Sequence, residues 1–291
     1  MRYLLWELNV KAHPFEQRLA AAVAGRFDVL TLSYRAFRAE AKAGRSGAAL
    51  ARSAAESGVT LDFLDGVTSW TPIRYAAESG SFMRDAFDFS ADEAFELCER
   101  TAMRNVVAIA GFANGSLPFS QQGDCFASFC ARAARHGIEV HLEGMPILGG
   151  GIPTLAHAWD IVRAAAQPNA AVMFDTWHFM RSGADLDLLS SLPTGSIKYV
   201  QLVDGLLLPA QGDLTHDAFH HRMVPETGDL PLAYLMRVLQ CQQDIVGVGP
   251  EAILDRLDAA PAREVGIEVG SATELTMVNA GFPARNINGR H

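Results

Sequence analysis

Apolar runs rich in β-branched and aromatic residues alternate with alanine-rich stretches of helical period from one end of the chain to the other. The first kind predicts strands at 3–9, 27–32, 60–65, 105–109, 139–143, 170–174, 197–203 and 264–269. The second kind, in FEQRLAAAVAG, ALARSAAESG, DEAFELCERTAM, CFASFCARAARHG and TLAHAWDIVRAAA, sets apolar residues three and four apart. Several of these stretches stop at glycine, as helix C-caps do. Eight strand–helix repeats in 291 residues predict a (β/α)8 TIM barrel, whose chemistry collects where strands end and the following loops begin. A doubly wound open sheet would want a glycine-rich turn after the first strand, and VKAHPFEQ at 10–17 has none. With no linker, repeat or low-complexity tract, residues 1–291 are expected to form a single domain, with an added helix near 250–258 and a mobile tail in PARNINGRH.

For a barrel, the informative positions are the polar residues that close each apolar run. The fifth run ends at Glu143 and the sixth at Asp175; the seventh offers Gln201 and Asp204, and the eighth ends at Glu268. Three carboxylates and an amide converging on one mouth would repel each other without a cation, and such an oxygen-rich set suits Mn, Mg or Co better than a thiolate-seeking metal. Taken singly, each position also has a plain structural reading. Asp175 stands before TWHFMRSG and could serve as a helix N-cap, and His178 could be an ordinary loop histidine. The joint pattern on four successive strands favours the site.

Composition narrows the partners. About half of the residues are apolar and a fifth charged, as in a folded globular chain, and the net charge of −9 comes without a basic block. No nucleic-acid or anionic-membrane partner is therefore expected, because phosphate contacts need clustered Lys and Arg. Glu7 and Asn9 interrupt what would have to be the apolar core of a signal peptide, and no other apolar run reaches membrane-spanning length, so a cytoplasmic protein is expected. Cys98, Cys125, Cys130 and Cys241 form no CxxC pair and read as reduced, mostly buried thiols.

The segments GVTSWTP, AARHGIEVHLEGMP, VMFDTWHFMRSG, YVQLVDG, HHRMVPETGDLPL and VGIEVGS, in that order, resemble the xylose isomerase-like TIM-barrel superfamily, the group of sugar phosphate isomerases/epimerases and AP endonuclease family 2. The resemblance implies a metal held by Glu143, Asp175, Gln201 and Glu268, with Zn as an alternative to Mn, Mg or Co. It implies Glu143, Glu268 and His178 as catalytic groups, and His178, Arg222 and Trp70 as substrate-facing residues, Trp70 having a packed core position as its alternative. The activity implied first is a metal-dependent isomerase or epimerase of a keto sugar, with proton abstraction beside a carbonyl through a metal-stabilised enediolate. Gln201 stands where the epimerases often have histidine. Similar sequences with Gln there include dehydratases of ketoinositols and 3-dehydroshikimate, which makes a lyase the second reading and a catalytically inactive metal-binding barrel the third. Two further departures from the family are PETG after Arg222 and the segment at 241–264. The partner implied is a small carbohydrate-like molecule, and a homodimer is expected. The long loop 205–221 carries His216, His220 and His221, which could bind metal, but it is expected rather to cover the substrate or to form a solvated turn, and Gly149–Gly151 to form another mobile loop.

Overall fold

The computed structural model describes residues 1–76, 81–210 and 212–285. Eight parallel strands close into one barrel in sequence order, β8 pairing with β1. The first half runs β1 Arg2–Leu5, α1 Phe15–Ala24, β2 Val29–Leu32, α2 Tyr34–Lys42, α3 Gly47–Glu56, β3 Thr60–Val67, α4 Ser81–Phe87, α5 Ala91–Thr101 and β4 Asn105–Ala108. The second half runs α6 Phe119–Arg135, β5 Glu139–Glu143, α7 Leu155–Ala165, β6 Ala170–Asp175, α8 Thr176–Arg181, α9 Leu186–Ser191, β7 Ile197–Leu202, α10 Leu214–His220, α11 Leu232–Gln242, β8 Gly247–Pro250, α12 Asp255–Ala259 and α13 Ala262–Asn279.

The strands are apolar on both faces because both faces are covered, as in parallel sheets generally. Outward residues such as Leu5, Leu30, Val106, Val140, Val172, Val200 and Val248 pack under the helices in one large cluster. Their neighbours Leu4, Val29, Phe63, Val107, Met173 and Tyr199 belong to a second cluster that fills the barrel interior. The strand period of two thus fixes which side chains can reach the mouth one level above this plug.

Seven of the eight expected strands lie where the pattern places them, although the first is shorter and gives way to a 3-10 turn at Glu7–Val10. The eighth is corrected: 264–269 lies inside helix α13. Its alternation looks like a strand, yet the buried residues Val265, Val269 and Thr273 recur every four positions, and Ile267 between them is 48% exposed. Gly266 and Gly270, one turn apart, let α13 lie directly on α1. A Cβ on Gly266 would stand 2.1 Å from the Ala21 carbonyl oxygen, and one on Gly270 2.4 Å from that of Gly25. The true β8 is GVGP, where a Cβ on Gly249 would stand 1.8 Å from the carbonyl oxygen of Leu4 on β1. The helix expected near 250–258 shortens accordingly to α12, its first residues being strand end and loop.

In the tail, Arg285 binds Asp28 at 3.1 Å and covers the Tyr3 ring, while residues 286–291 lie outside the described residues. Gly149–Gly151 is pinned rather than free: Gly150 bridges Ala113, and the Gly149 carbonyl accepts the Asn114 N–H at 2.8 Å. Among the described residues, no helix is long and apolar enough to cross a membrane.

Candidate active site at the barrel mouth

The inward alternation on β5, β6 and β7 runs His141–Glu143, Met173–Asp175 and Tyr199–Gln201, so Glu143, Asp175 and Gln201 arrive together at the C-terminal mouth. On β8 the same rule runs Gly247, Gly249, Glu251, which makes Glu251 the fourth oxygen group. All four are at least 96% buried. Asp65, from β3, joins them through a hydrogen bond with Glu251.

Asp175 serves in both ways open to it in sequence. Its Oδ1 accepts the His178 N–H at 2.7 Å and so caps α8. Its Oδ2 faces the buried Arg222 guanidinium, whose Nη2 donates to both Asp175 and Glu251. The cap fixes the first turn of α8 and with it the His178 imidazole, whose Nε2 lies 3.6 Å from Glu143 Oε1. Arg222 is held by its backbone, which bridges Ile253, while the next residue, Met223, pairs with Asp204 in both directions. The Asp204 carboxylate accepts N–H groups from Gly205, Gly228 and Leu230, so this strand-seven candidate anchors the returning loop.

Carboxylates crowd one cation here. Burial, then the neighbouring Glu251, Asp175 and Asp65, push Glu143 well above the usual carboxylate range. Burial raises Glu251 likewise, against the pull of Arg222. Asp65, partly open to the mouth, is raised to about 7 by desolvation and by Glu7. For Arg222, burial works against the charge, but Asp175, Glu251 and Glu143 outweigh it and raise its pKa. Burial lowers His178 to about 4, which leaves a neutral imidazole at physiological pH. A divalent cation is suggested by this donor set. Ligand atoms of Glu143, Asp175 and His178 lie within 4.8 Å of one another, and the buried Gln201 Oε1 has no hydrogen-bond partner.

The structure brings Glu143, Asp175, His178, Gln201 and Arg222 together, and it separates two other candidates from them. Glu268 is on the outward part of α13, half exposed, where both its oxygens accept from Arg256 at 2.6 and 2.9 Å. It cannot share a cation with β5 and β6, because the segment assigned to the last strand is a peripheral helix. Trp70 takes the core alternative. Its indole N–H donates to the Ile109 carbonyl at 2.8 Å, and its ring packs edge-on to Phe112 and Phe126. Trp177 is the tryptophan beside His178 and Arg222. Glu251 and Asp65 are not among the residues expected from sequence. The signal for Asp65 is present in the sequence, since it closes the third apolar run, whereas Glu251 follows a strand that is half glycine.

The loop that follows β7 is partly structured. It contains α10, and Arg181 ties it down by donating to the carbonyls of Leu206 and Leu207 and to Asp217.

A sequence profile of the family described as xylose isomerase-like TIM barrel matches residues 20–264. A 3-dehydroshikimate dehydratase of Pseudomonas aeruginosa is 28% identical over 145 residues, which is 50% of this chain and 22% of the relative. The chain therefore spans about a fifth of the length of that curated relative. Among solved structures, the IolI protein with a bound zinc atom has the same fold at a TM-score of 0.79 and 17% identity, covering 97% of this chain and 98% of that one. A D-psicose 3-epimerase in the presence of D-fructose follows at 0.67 and 12%, covering 97% and 100%.

Proposed function

The chain belongs to the xylose isomerase-like TIM-barrel family, and from that premise we propose that it is a divalent-metal-dependent lyase that removes water from a polyhydroxy ketone of the 3-dehydroshikimate or ketoinositol class. One observation carries the choice of lyase over epimerase. The acid–base equipment of the mouth is one-sided, with a neutral imidazole beside Glu143 and the opposing Glu251 tied to Arg222 and Asp65. Inversion at carbon needs a free group on each face, whereas elimination needs one group that takes a proton and gives it to the leaving oxygen. The name of the Pseudomonas relative points the same way.

In this reading Glu143, Asp175, Gln201 and Glu251 hold the ion, with Mn, Mg or Co favoured by their oxygens and Zn as the alternative. When bound, the ion supplies Lewis-acid polarisation of the ketone oxygen. His178 takes the proton from the carbon next to the ketone and, as imidazolium, delivers it to the β-hydroxyl. The C–H and C–O bonds break, a C=C bond forms and water leaves. Arg222 orients the substrate through its remaining donors, since its Nε is buried without a partner. The buried Trp177 beside His178 helps exclude water.

The test is to incubate the metal-loaded chain with 3-dehydroshikimate and with ketoinositols in D2O and follow substrate mass. Loss of one water with His178-dependent kinetics is expected. Deuterium uptake by a ketose with no loss of water would overturn the lyase reading in favour of epimerisation by Glu143 and Glu251, the reading that the pair of raised carboxyls at the mouth supports.

A further inference from the structure

Outside the mouth, the loop after β7 carries HDAFHH, and the structure winds it into α10. His216 and His220 are four residues apart on this helix, which stacks their imidazoles on one face with ring centroids 4.6 Å apart. The His221 ring lies 5.4 Å from that of His216. Asp255, the first residue of α12, faces this pair across the gap, with Oδ1 3.6 Å from His220 Nδ1. Two ring nitrogens in the cluster, Nδ1 of His216 and Nε2 of His221, are buried without a hydrogen-bond partner. The helix is capped by Asp213, and its Asp217 pairs with Arg181.

We propose that α10 is a second metal site, separate from the mouth: a two-histidine helical chelate formed by His216 and His220, oriented by Asp255, that takes a borderline divalent cation such as Cu2+ or Zn2+. The spacing is the one by which two histidines on a single helix share a metal ion. A carboxylate at His220 Nδ1 favours the tautomer with its proton there and leaves Nε2 as the ligand, the usual second partner of a metal-bound histidine. His220 and Asp255 are 47% and 91% exposed in their side chains, so an ion can enter from solvent. His221 reaches the same ion only by turning its side chain, which leaves water in the remaining positions. Imidazole nitrogens prefer Cu2+, Ni2+ and Zn2+, whereas the oxygen-rich mouth suits harder ions, so the two sites should sort metals differently. An ion here would tie α10 to α12 on either side of the Arg222–Ile253 bridge and stiffen the approach to the mouth. The inference does not depend on which reaction the mouth performs.

Titration of the whole chain with Cu2+, followed by calorimetry and electron paramagnetic resonance, tests it. Wild type is expected to show a component with nitrogen hyperfine coupling from two imidazoles. His216→Gln with His220→Gln removes that component and lowers the copper stoichiometry by one, with metal-free circular dichroism unchanged. Asp255→Asn weakens it on the order of ten-fold, and Asp175→Ala, which disables the mouth set, leaves it in place. Equal stoichiometry and an unchanged nitrogen signal in the double histidine variant overturn the proposal. So does a signal that survives there and disappears in Asp175→Ala.

Discussion

A carboxylate after the eighth strand and one on the last helix differ only in where the chain delivers them, and substitution should separate them. Glu251→Gln keeps size and hydrogen bonding but removes a charge from the buried set around Arg222, and turnover and metal content should fall on the order of 100-fold. Glu268→Gln loses only a half-exposed pair with Arg256, and should cost under ~1 kcal/mol while metal content stays at the wild-type value. Plasma mass spectrometry of both variants decides; loss of metal from Glu268→Gln alone would refute the placement of the eighth strand. Asp175 gives a second contrast, because its two oxygens do different work. Asn keeps the α8 cap and Ala does not, so both variants should lose the metal, while Ala unfolds at lower urea, by about 1 kcal/mol relative to Asn. Equal stability of the two would mean that the cap contributes nothing.

Elements explain why most of this mouth was legible in sequence and one quarter of it was not. Strands β5, β6 and β7 are apolar runs that stop at Glu143, Asp175 and Gln201, so the pattern that builds the barrel also announces its mouth. Asp65 obeys the same rule at the end of LDFLD, whereas β8 violates it. Two of its four residues are glycine, since a Cβ would strike the Leu4 and Tyr199 side chains at Gly247 and the Leu4 carbonyl at Gly249, and the resulting GVGP carries little strand signal. Meanwhile EVGIEVG imitates a strand, since Val265, Ile267 and Val269 recur at the two-residue spacing of a pleat, although Gly266 and Gly270 serve helix contact. These helix glycines can be tested by sign. Alanine at Gly266 gains about 1 kcal/mol of helix propensity but must push α13 off the Ala21 carbonyl. A net loss of about 1–3 kcal/mol in denaturant melts is expected. Alanine at Gly123 in α6 meets only the Ala164 Cβ at 3.6 Å, an ordinary contact, and should stabilise by up to ~1 kcal/mol. Stabilisation by both would show that α1 and α13 are not locked by these glycines.

At the scale of the molecule, the barrel closes by pairing its first strand with its last, and the charge it encloses opposes that closure. Glu143, Asp175 and Glu251 share one buried guanidinium in a chain of net charge −9, so folding must either protonate carboxyls or gather a cation. The raised Glu143 and Glu251 carboxyls show the first route, and a divalent ion offers the second at neutral pH. Because such an ion binds the folded chain and finds no assembled site in the unfolded one, its binding energy becomes stability. At 100 times the dissociation constant this amounts to about 2.7 kcal/mol, which for a chain of 291 residues is a rise of roughly 4–5 °C in melting temperature. Scanning calorimetry with Mn2+ against EDTA should show this rise in wild type and its absence in Glu251→Gln. The rise should persist in the His216→Gln, His220→Gln variant, because Mn2+ prefers the oxygens of the mouth to imidazoles on α10. A melting temperature indifferent to Mn2+ in wild type would mean that the carboxyls settle their repulsion with protons alone, and the metal-dependent reading of the mouth would fall with it.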